Sequence, residues 1–177
     1  MPKNSVVPSL PADAAALVAA VLAPYGRVLL VGAPGTGKST LVNALAAELA
    51  ESGRTIRCLG ADPGSPLFGV PGAVCLGRYD RGSWAMEGLE ALCTLDAGRF
   101  RLPLVEALRR LAQGIDDGVL LVDGPGVVRG VAGAELLPAL VAAAHVDLVL
   151  VISRPGRALP LALQLQALPV EVHTVPA

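Results

Sequence analysis

Gly32-Ala33-Pro34-Gly35-Thr36-Gly37-Lys38-Ser39-Thr40 decides the fold of this 177-residue chain. The apolar run Arg27-Val28-Leu29-Leu30-Val31 precedes it and reads as a buried strand, and Leu41 to Leu49 after it reads as a helix. Strand, glycine-rich loop and helix in that order satisfy G-x-x-x-x-G-K-[ST], with Gly32, Gly37, Lys38 and Ser39 in register. Glycines let the backbone curl until successive N–H groups face an anion, and the helix opening near Lys38 adds the positive end of its dipole. Residues 33–40 (Ala33, Pro34, Gly35, Thr36, Gly37, Lys38, Ser39 and Thr40) are therefore expected to hold the phosphates of ATP. Lys38 would reach the β- and γ-phosphates, and the Ser39 hydroxyl would ligate Mg²⁺. Lys38 is one of two lysines against twelve arginines, so it is not surface decoration in a lysine-rich chain.

Outward from that stretch, the bulk composition fits one α/β domain. A chain of this length buries about 70% of its unfolded surface. The 53% hydrophobic content is largely Ala, Val and Leu, as in a parallel sheet covered by Ala-rich helices. No apolar run reaches the roughly 18 uncharged residues of a membrane span. Ala12–Ala23 has the apolarity of a leader core but is interrupted by Asp13, and it reads as an N-terminal helix of a cytoplasmic protein. Cys58, Cys75 and Cys93 are scattered and odd in number, as reduced core thiols are. A net charge of −1 argues against broad coating of nucleic acid, while leaving room to grip one strand end with a few arginines.

Downstream, residues 41–52 continue the helix to a stop at Gly53, and 55–59 form a second strand. Asp62 follows it, on the edge where ligands of open α/β sheets bind. Asp62-Pro63-Gly64 is equally an ordinary turn. Residues 63–103, broken by eleven glycines and prolines, show little regular patterning and read as a substrate-binding or lid insert. The insert holds Phe68, Tyr79, Trp84, Phe100, Arg78, Arg81, Arg99 and Arg101. Aromatic faces with arginines suit single-stranded nucleic acid, and suit as well a lid packing its own small core. Residues 102–113 read as an amphipathic helix, and 118–123 as a third strand ending in Asp123, the acid that holds Mg²⁺ opposite a phosphate loop. Gly124, Pro125 and Gly126 follow and place a backbone N–H near a γ-phosphate. A helix over 132–144, a strand over 146–152, a helix over 157–168 and a strand over 170–175 complete the pattern. Arg154 and Arg157, just past the fourth strand, are either charge-neutralising groups for phosphoryl transfer or surface residues. His145 and His173 stand beside strands and take no role.

Three blocks together resemble the P-loop polynucleotide 5′-hydroxyl kinases related to the kinase of the eukaryotic pre-mRNA cleavage complex and to ribosomal-RNA-processing kinases. They are GAPGTGKST at 32–40, ADPGSPLFGVPGAVCLGR at 61–78 and LLVDGPGVVRGVAGAELLPAL at 120–140. The resemblance implies a three-layer α/β/α sandwich with a mostly parallel sheet, in a single kinase domain over 1–177. It implies Lys38, Asp62, Arg154 and Arg157 as catalytic residues, Asp62 being the base that takes the proton from the 5′-hydroxyl. It implies Ser39, Asp62 and Asp123 as metal ligands, and Asp123, Gly124, Pro125 and Gly126 at the substrate. Ser65 replaces the family's usual Gln, Gly124 its clasp hydroxyl residue, and Val127 the Trp on which a terminal base would stack. Tyr79, Trp84, Arg99 and Arg101 are then the candidates for holding the strand.

The combined reading is an ATP- and Mg²⁺-dependent kinase acting on single-stranded 5′-hydroxyl RNA or DNA ends, with no membrane and no obligate protein partner. A small-molecule kinase and a non-catalytic ATP-binding switch or scaffold are the rivals. Ser153-Arg154-Pro155-Gly156 is not a guanine-recognition motif, which argues against a GTP switch.

Overall fold

The computed structural model describes residues 5–6, 19–20, 22, 24–154, 156 and 159–177. Among the described residues eight strands form one sheet: β1 (Ser5–Val6), β2 (Arg27–Gly32), β3 (Ile56–Gly60), β4 (Ala73–Asp80), β5 (Ser83–Ala91), β6 (Val119–Asp123), β7 (Leu148–Ser153) and β8 (Glu171–Pro176). Their order is β1-β8-β7-β2-β6-β3-β4-β5, parallel from β1 to β3 and antiparallel at β4 and β5. The connecting helices are α1 (Lys38–Glu51), α2 (Arg101–Ala112), α3 (Gly130–Ala143) and α4 (Ala162–Ala167).

Period-two alternation in the central strands sorts the core into two layers. Leu29, Val31, Leu120, Val122, Val149 and Val151 pack with Leu104 and Leu108 of α2 and Leu136 and Leu140 of α3. Val28, Leu30, Val119, Leu121, Leu148 and Leu150 pack on the other face, with Val42, Leu45 and Leu49 of α1. The three-layer α/β/α sandwich with a mostly parallel sheet is thus the architecture. Because β2, β3, β6 and β7 run the same way, their carboxyl ends and the helix starts that follow share one edge.

The expected helices and parallel strands are in place to within a few residues, and Gly53 has the left-handed φ of 80° that ends α1. Within Ala12–Ala23, residues 19, 20 and 22 are helical and the rest lie outside the described residues. The helix expected over 157–168 is shorter, starting at Ala162, and Arg157 lies outside the described residues. Among the described residues no helix is long and apolar enough to cross a membrane. Cys58 and Cys75 are buried and Cys93 is exposed, all three as free thiols.

The reading of 63–103 as unpatterned needs correction. Its centre is a hairpin that extends the sheet, β4 on β3 and β5 on β4. Asp80 pairs with Ser83, leaving a two-residue turn in which Arg81 (φ 46°) and Gly82 (φ 84°) are both left-handed, as a type I′ turn requires. An arginine at the first position is an unusual choice there, which hides the turn from a sequence reading. Gly77 is equally misleading: it reads as a breaker, yet a Cβ on it would lie 2.7 Å from the Phe68 ring, so its absence admits that ring onto the sheet.

Candidate nucleotide-binding site

The loop after β2 is shaped by its own short hydrogen bonds. Thr36 Oγ1 donates to Ala33 O at 2.9 Å, and Gly35 and Gly37 take φ values of 72° and 82° that a β-carbon would strain. Lys38 is buried at the first position of α1, its Nζ donating to Gly32 O (3.1 Å) and Ala33 O (3.4 Å). The ammonium is thereby held over the loop's mouth, with the α1 dipole behind it.

Asp123 ends β6 on the same side as Val119 and Leu121, the α1 side, where Ser39 waits. Ser39 Oγ donates to Asp123 Oδ2 at 2.7 Å. Asp123 is 1% exposed, and its Oδ1 has no hydrogen-bond partner among the described residues. Burial pushes its carboxyl above the ordinary range; the Ser39 hydrogen bond and the Lys38 charge oppose this, and the Asp62 charge adds to it. A buried carboxylate oxygen without a partner, beside a serine hydroxyl, fits a hard oxygen-seeking cation such as Mg²⁺. Among the described residues no three His, Cys, Asp or Glu gather as a cage, so the remaining ligands would be phosphate oxygens and water.

Gly124-Pro125-Gly126 runs from β6 along the phosphate loop. Gly124 N donates to Leu30 O at 3.2 Å, and a Cβ on Gly126 would lie 2.7 Å from Pro34 Cγ. Asp62 joins the same edge because Ala61 N donates to Asp123 O at 3.0 Å. Its Oδ1 accepts from the backbone N–H groups of Gly64 (3.1 Å) and Ser65 (3.3 Å). The turn reading and the site reading of Asp62 are therefore compatible: one oxygen closes the turn, and Oδ2 takes no part in it.

The remaining candidates divide. Arg154 is exposed, with a guanidinium nitrogen 3.9 Å from where a Cβ on Gly35 would stand, so it flanks the phosphate loop. Arg101 is at the edge but engaged, bonding Glu135 through Nε at 2.8 Å and the Gly98 carbonyl through NH1. Arg99 is exposed beside it. Tyr79 and Trp84 are not brought to the site, which corrects their expected place at the substrate. Tyr79 lies one residue beyond the Arg57–Arg78 pair, at the opposite end of β3 from Gly60 and roughly 13 Å from it at about 3.3 Å per residue. Trp84 stacks on Phe68 (5.2 Å), meets Tyr79 edge-on (5.2 Å) and donates Nε1–H to Asn43 Oδ1 at 2.7 Å. That cluster fastens the hairpin to α1. Sequence reasoning grouped Phe100 with the insert's other aromatics without singling it out; the signal that sets it apart is its place between two arginines at a helix start.

α1, α2 and α3 all begin on this edge, none with an acid in its first turn or a side-chain cap. Their positive ends stay unneutralised by their own sequences, a setting for phosphate. Fold and site together define a P-loop nucleotide-binding domain of the kinase-related type.

A model of the mRNA cleavage and polyadenylation factor CLP1 P-loop family matches residues 32–177, and the chain belongs to that family. Clp1p in a Clp1p–Pcf11p complex superposes with a TM-score of 0.77 at 16% identity, over 96% of this chain and 49% of that one. A second structure, of the extended interface between Pcf11p and Clp1p and of ATP loss in a point mutant, gives 0.75 at 16% identity, over 97% and 50%. The BceF tyrosine kinase domain gives 0.55 at 18% identity, over 90% and 72%. The chain thus spans about half the length of the Clp1p chains it matches, and the likeness to all three is one of fold. No curated protein matches it. The expectation of no obligate protein partner is corrected here, because both Clp1p structures concern Clp1p joined to Pcf11p.

Proposed function

We propose that this chain is an ATP- and Mg²⁺-dependent polynucleotide kinase that phosphorylates the 5′-hydroxyl end of RNA or DNA, acting in the cytoplasm. One observation carries the reading. Asp62, whose Oδ2 the turn leaves unused, is tied through Ala61 to Asp123 and so sits across from a complete phosphate cradle.

The loop N–H groups and Lys38 bind the phosphates and draw negative charge toward the β,γ-bridge. Ser39 and Asp123 would hold Mg²⁺, which when bound neutralises charge on the phosphate oxygens. Asp62 orients the acceptor hydroxyl and takes its proton at Oδ2. The 5′-oxygen bonds to the γ-phosphorus as the bond from that phosphorus to the bridging oxygen breaks, and ADP leaves. Arg154, placed beside Gly35, closes over the equatorial oxygens. The segments 63–72 and 92–100, which flank the β4–β5 hairpin on the ligand edge, serve as the acceptor side.

The test is transfer of labelled γ-phosphate from ATP to 5′-hydroxyl RNA and DNA oligonucleotides, with 5′-phosphorylated controls and Mg²⁺-free blanks. Label confined to hydroxyl ends is the expected result. Label on a nucleoside but on no oligonucleotide would replace this reading with a small-molecule kinase.

A further inference from the structure

Two neighbouring side chains of the acceptor-side segment 92–100 carry no step in the chemistry above. Phe100 is 42% exposed and belongs to neither core layer. The chain's other aromatic rings are all partly buried: Phe68, Tyr79 and Trp84 occupy one another's faces, and Tyr25 meets His173 edge-on. Arg99, next to Phe100, is exposed as well.

We propose that Phe100 and Arg99 form the seat for the acceptor's terminal nucleoside, the base stacking on the Phe100 ring and the following phosphate meeting the Arg99 guanidinium. The proposal rests on the polynucleotide reading above and names the residues that select its acceptor.

Position supports it. The turn from Asp96 to Phe100 borders both walls of the acceptor side: a Cβ on Gly98 would be 3.6 Å from Val127, and one on Gly64, two residues from Asp62, would be 2.8 Å from Leu95 O. Rigidity supports it too. Phe100 N donates to Asp96 O (3.1 Å) and Phe100 O accepts from Leu104 N (3.2 Å), so the backbone that carries the ring is ordered before a base arrives. The positive end of α2 favours an anionic ligand beside Arg99. α2 starts at Arg101 without an acid in its first turn, and the nearby Asp96 has Oδ1 engaged by Arg99 N at 2.9 Å. A planar apolar face next to an arginine, at the positive end of a helix, is the pattern that holds single strands with little regard to sequence.

The experiment uses 5′-hydroxyl oligonucleotides with 2-aminopurine as the first base, with Mg²⁺ and either ATP or a non-hydrolysable analogue. Stacking on Phe100 quenches the 2-aminopurine fluorescence, and KM is read from phosphate transfer. Phe100→Ala is expected to abolish the quench and raise KM by roughly 5- to 100-fold, the range that loss of one base–aromatic stack produces. Phe100→Trp is expected to restore both, and an abasic first residue to raise KM for the wild-type chain while making no further difference to Phe100→Ala. Arg99→Gln should lower the slope of log affinity against log salt by about 0.7, one phosphate contact to a single strand. Unchanged quench and KM in Phe100→Ala, or failure of Phe100→Trp to restore them, overturns the seat. Transfer by the wild-type chain with an indifferent Phe100→Ala leaves the kinase standing and removes the seat. A Phe100-dependent quench without transfer does the reverse, and a wild-type chain that shows neither removes both.

Discussion

The two sides of the ligand edge are built by different means. On the nucleotide side, Lys38 and Asp123 are buried, and the sheet's alternation delivers Asp123 to the face where α1 presents Ser39. On the side proposed for the acceptor, Asp62, Leu95, Arg99 and Phe100 sit on turns shaped by local hydrogen bonds to the backbone. The first half is fixed by the same packing that holds the domain together, so changing it changes stability as well as chemistry. The second is anchored to the core at Ala61 and Ala97, while Arg99 and Phe100 lie exposed outside it, so these two can change with little cost to the fold.

The sharpest way to break that contrast is Asp62→Asn. It should lower phosphate transfer by about 10²–10⁴-fold, the usual cost of losing a general base, with nucleotide Kd within about twofold of wild type. Single-turnover transfer alongside equilibrium ATP binding reads both, and transfer within tenfold of wild type would remove Asp62 as the base. Lys38→Ala should cost about 10²–10³-fold in ATP turnover, because one preorganised donor to developing charge is lost. Circular dichroism would show the fold kept, and unchanged turnover would disprove the phosphate cradle.

Trp84→Ala tests the corrected placement of the hairpin aromatics. Losing its contacts with Phe68, Tyr79 and Asn43 should destabilise the chain by about 2–3 kcal/mol, somewhat under the loss for a fully buried ring. KM for an oligonucleotide should stay within about twofold, and a large rise in KM with no change in Tm would return Trp84 to the acceptor. The smallest effect belongs to Asp123→Asn in nucleotide-free protein. Burial raises the Asp123 pKa on folding, so its contribution to stability is greatest below the ordinary value of 3.8 and falls as pH rises through the raised one. At neutral pH the variant should therefore be the more stable, seen as a rise in Tm, and the gain should vanish in acid. A Tm loss at neutral pH would contradict the cost assigned to the buried charge.

Legibility in the sequence follows the same divide. The strand before Gly32, the helix after Ser39 and the apolar run into Asp123 are long, periodic and buried on both sides, and each is visible from its own residues. The β4–β5 hairpin is not. Its faces are interrupted by Gly77 and Gly88, its turn uses Arg81 where Asn or Asp is usual, and a bulge puts an extra residue, Glu87, between the partners of Leu76 and Gly77. Each departure has a tertiary cause, such as Phe68 lying over Gly77, that appears only once the chain is folded. Tyr79 and Trp84 were misplaced for the same reason, since without the hairpin nothing shows which end of the sheet they occupy.

That bulge has an outcome in the test tube. β5 ends the sheet among the described residues, and its outer row of N–H and C=O groups is a template on which another chain can add a strand. Glu87 bridges Arg57 and Arg78, and Glu90 faces Arg110, so charges guard a border otherwise marked by exposed Met86 and Leu89. Neutralising the two glutamates would make the border sticky, and concentrated solutions would turn turbid on standing while freshly diluted protein still bound nucleotide. Colloidal behaviour in this molecule is thus set at the far rim from the nucleotide, by two carboxylates with no part in phosphate transfer.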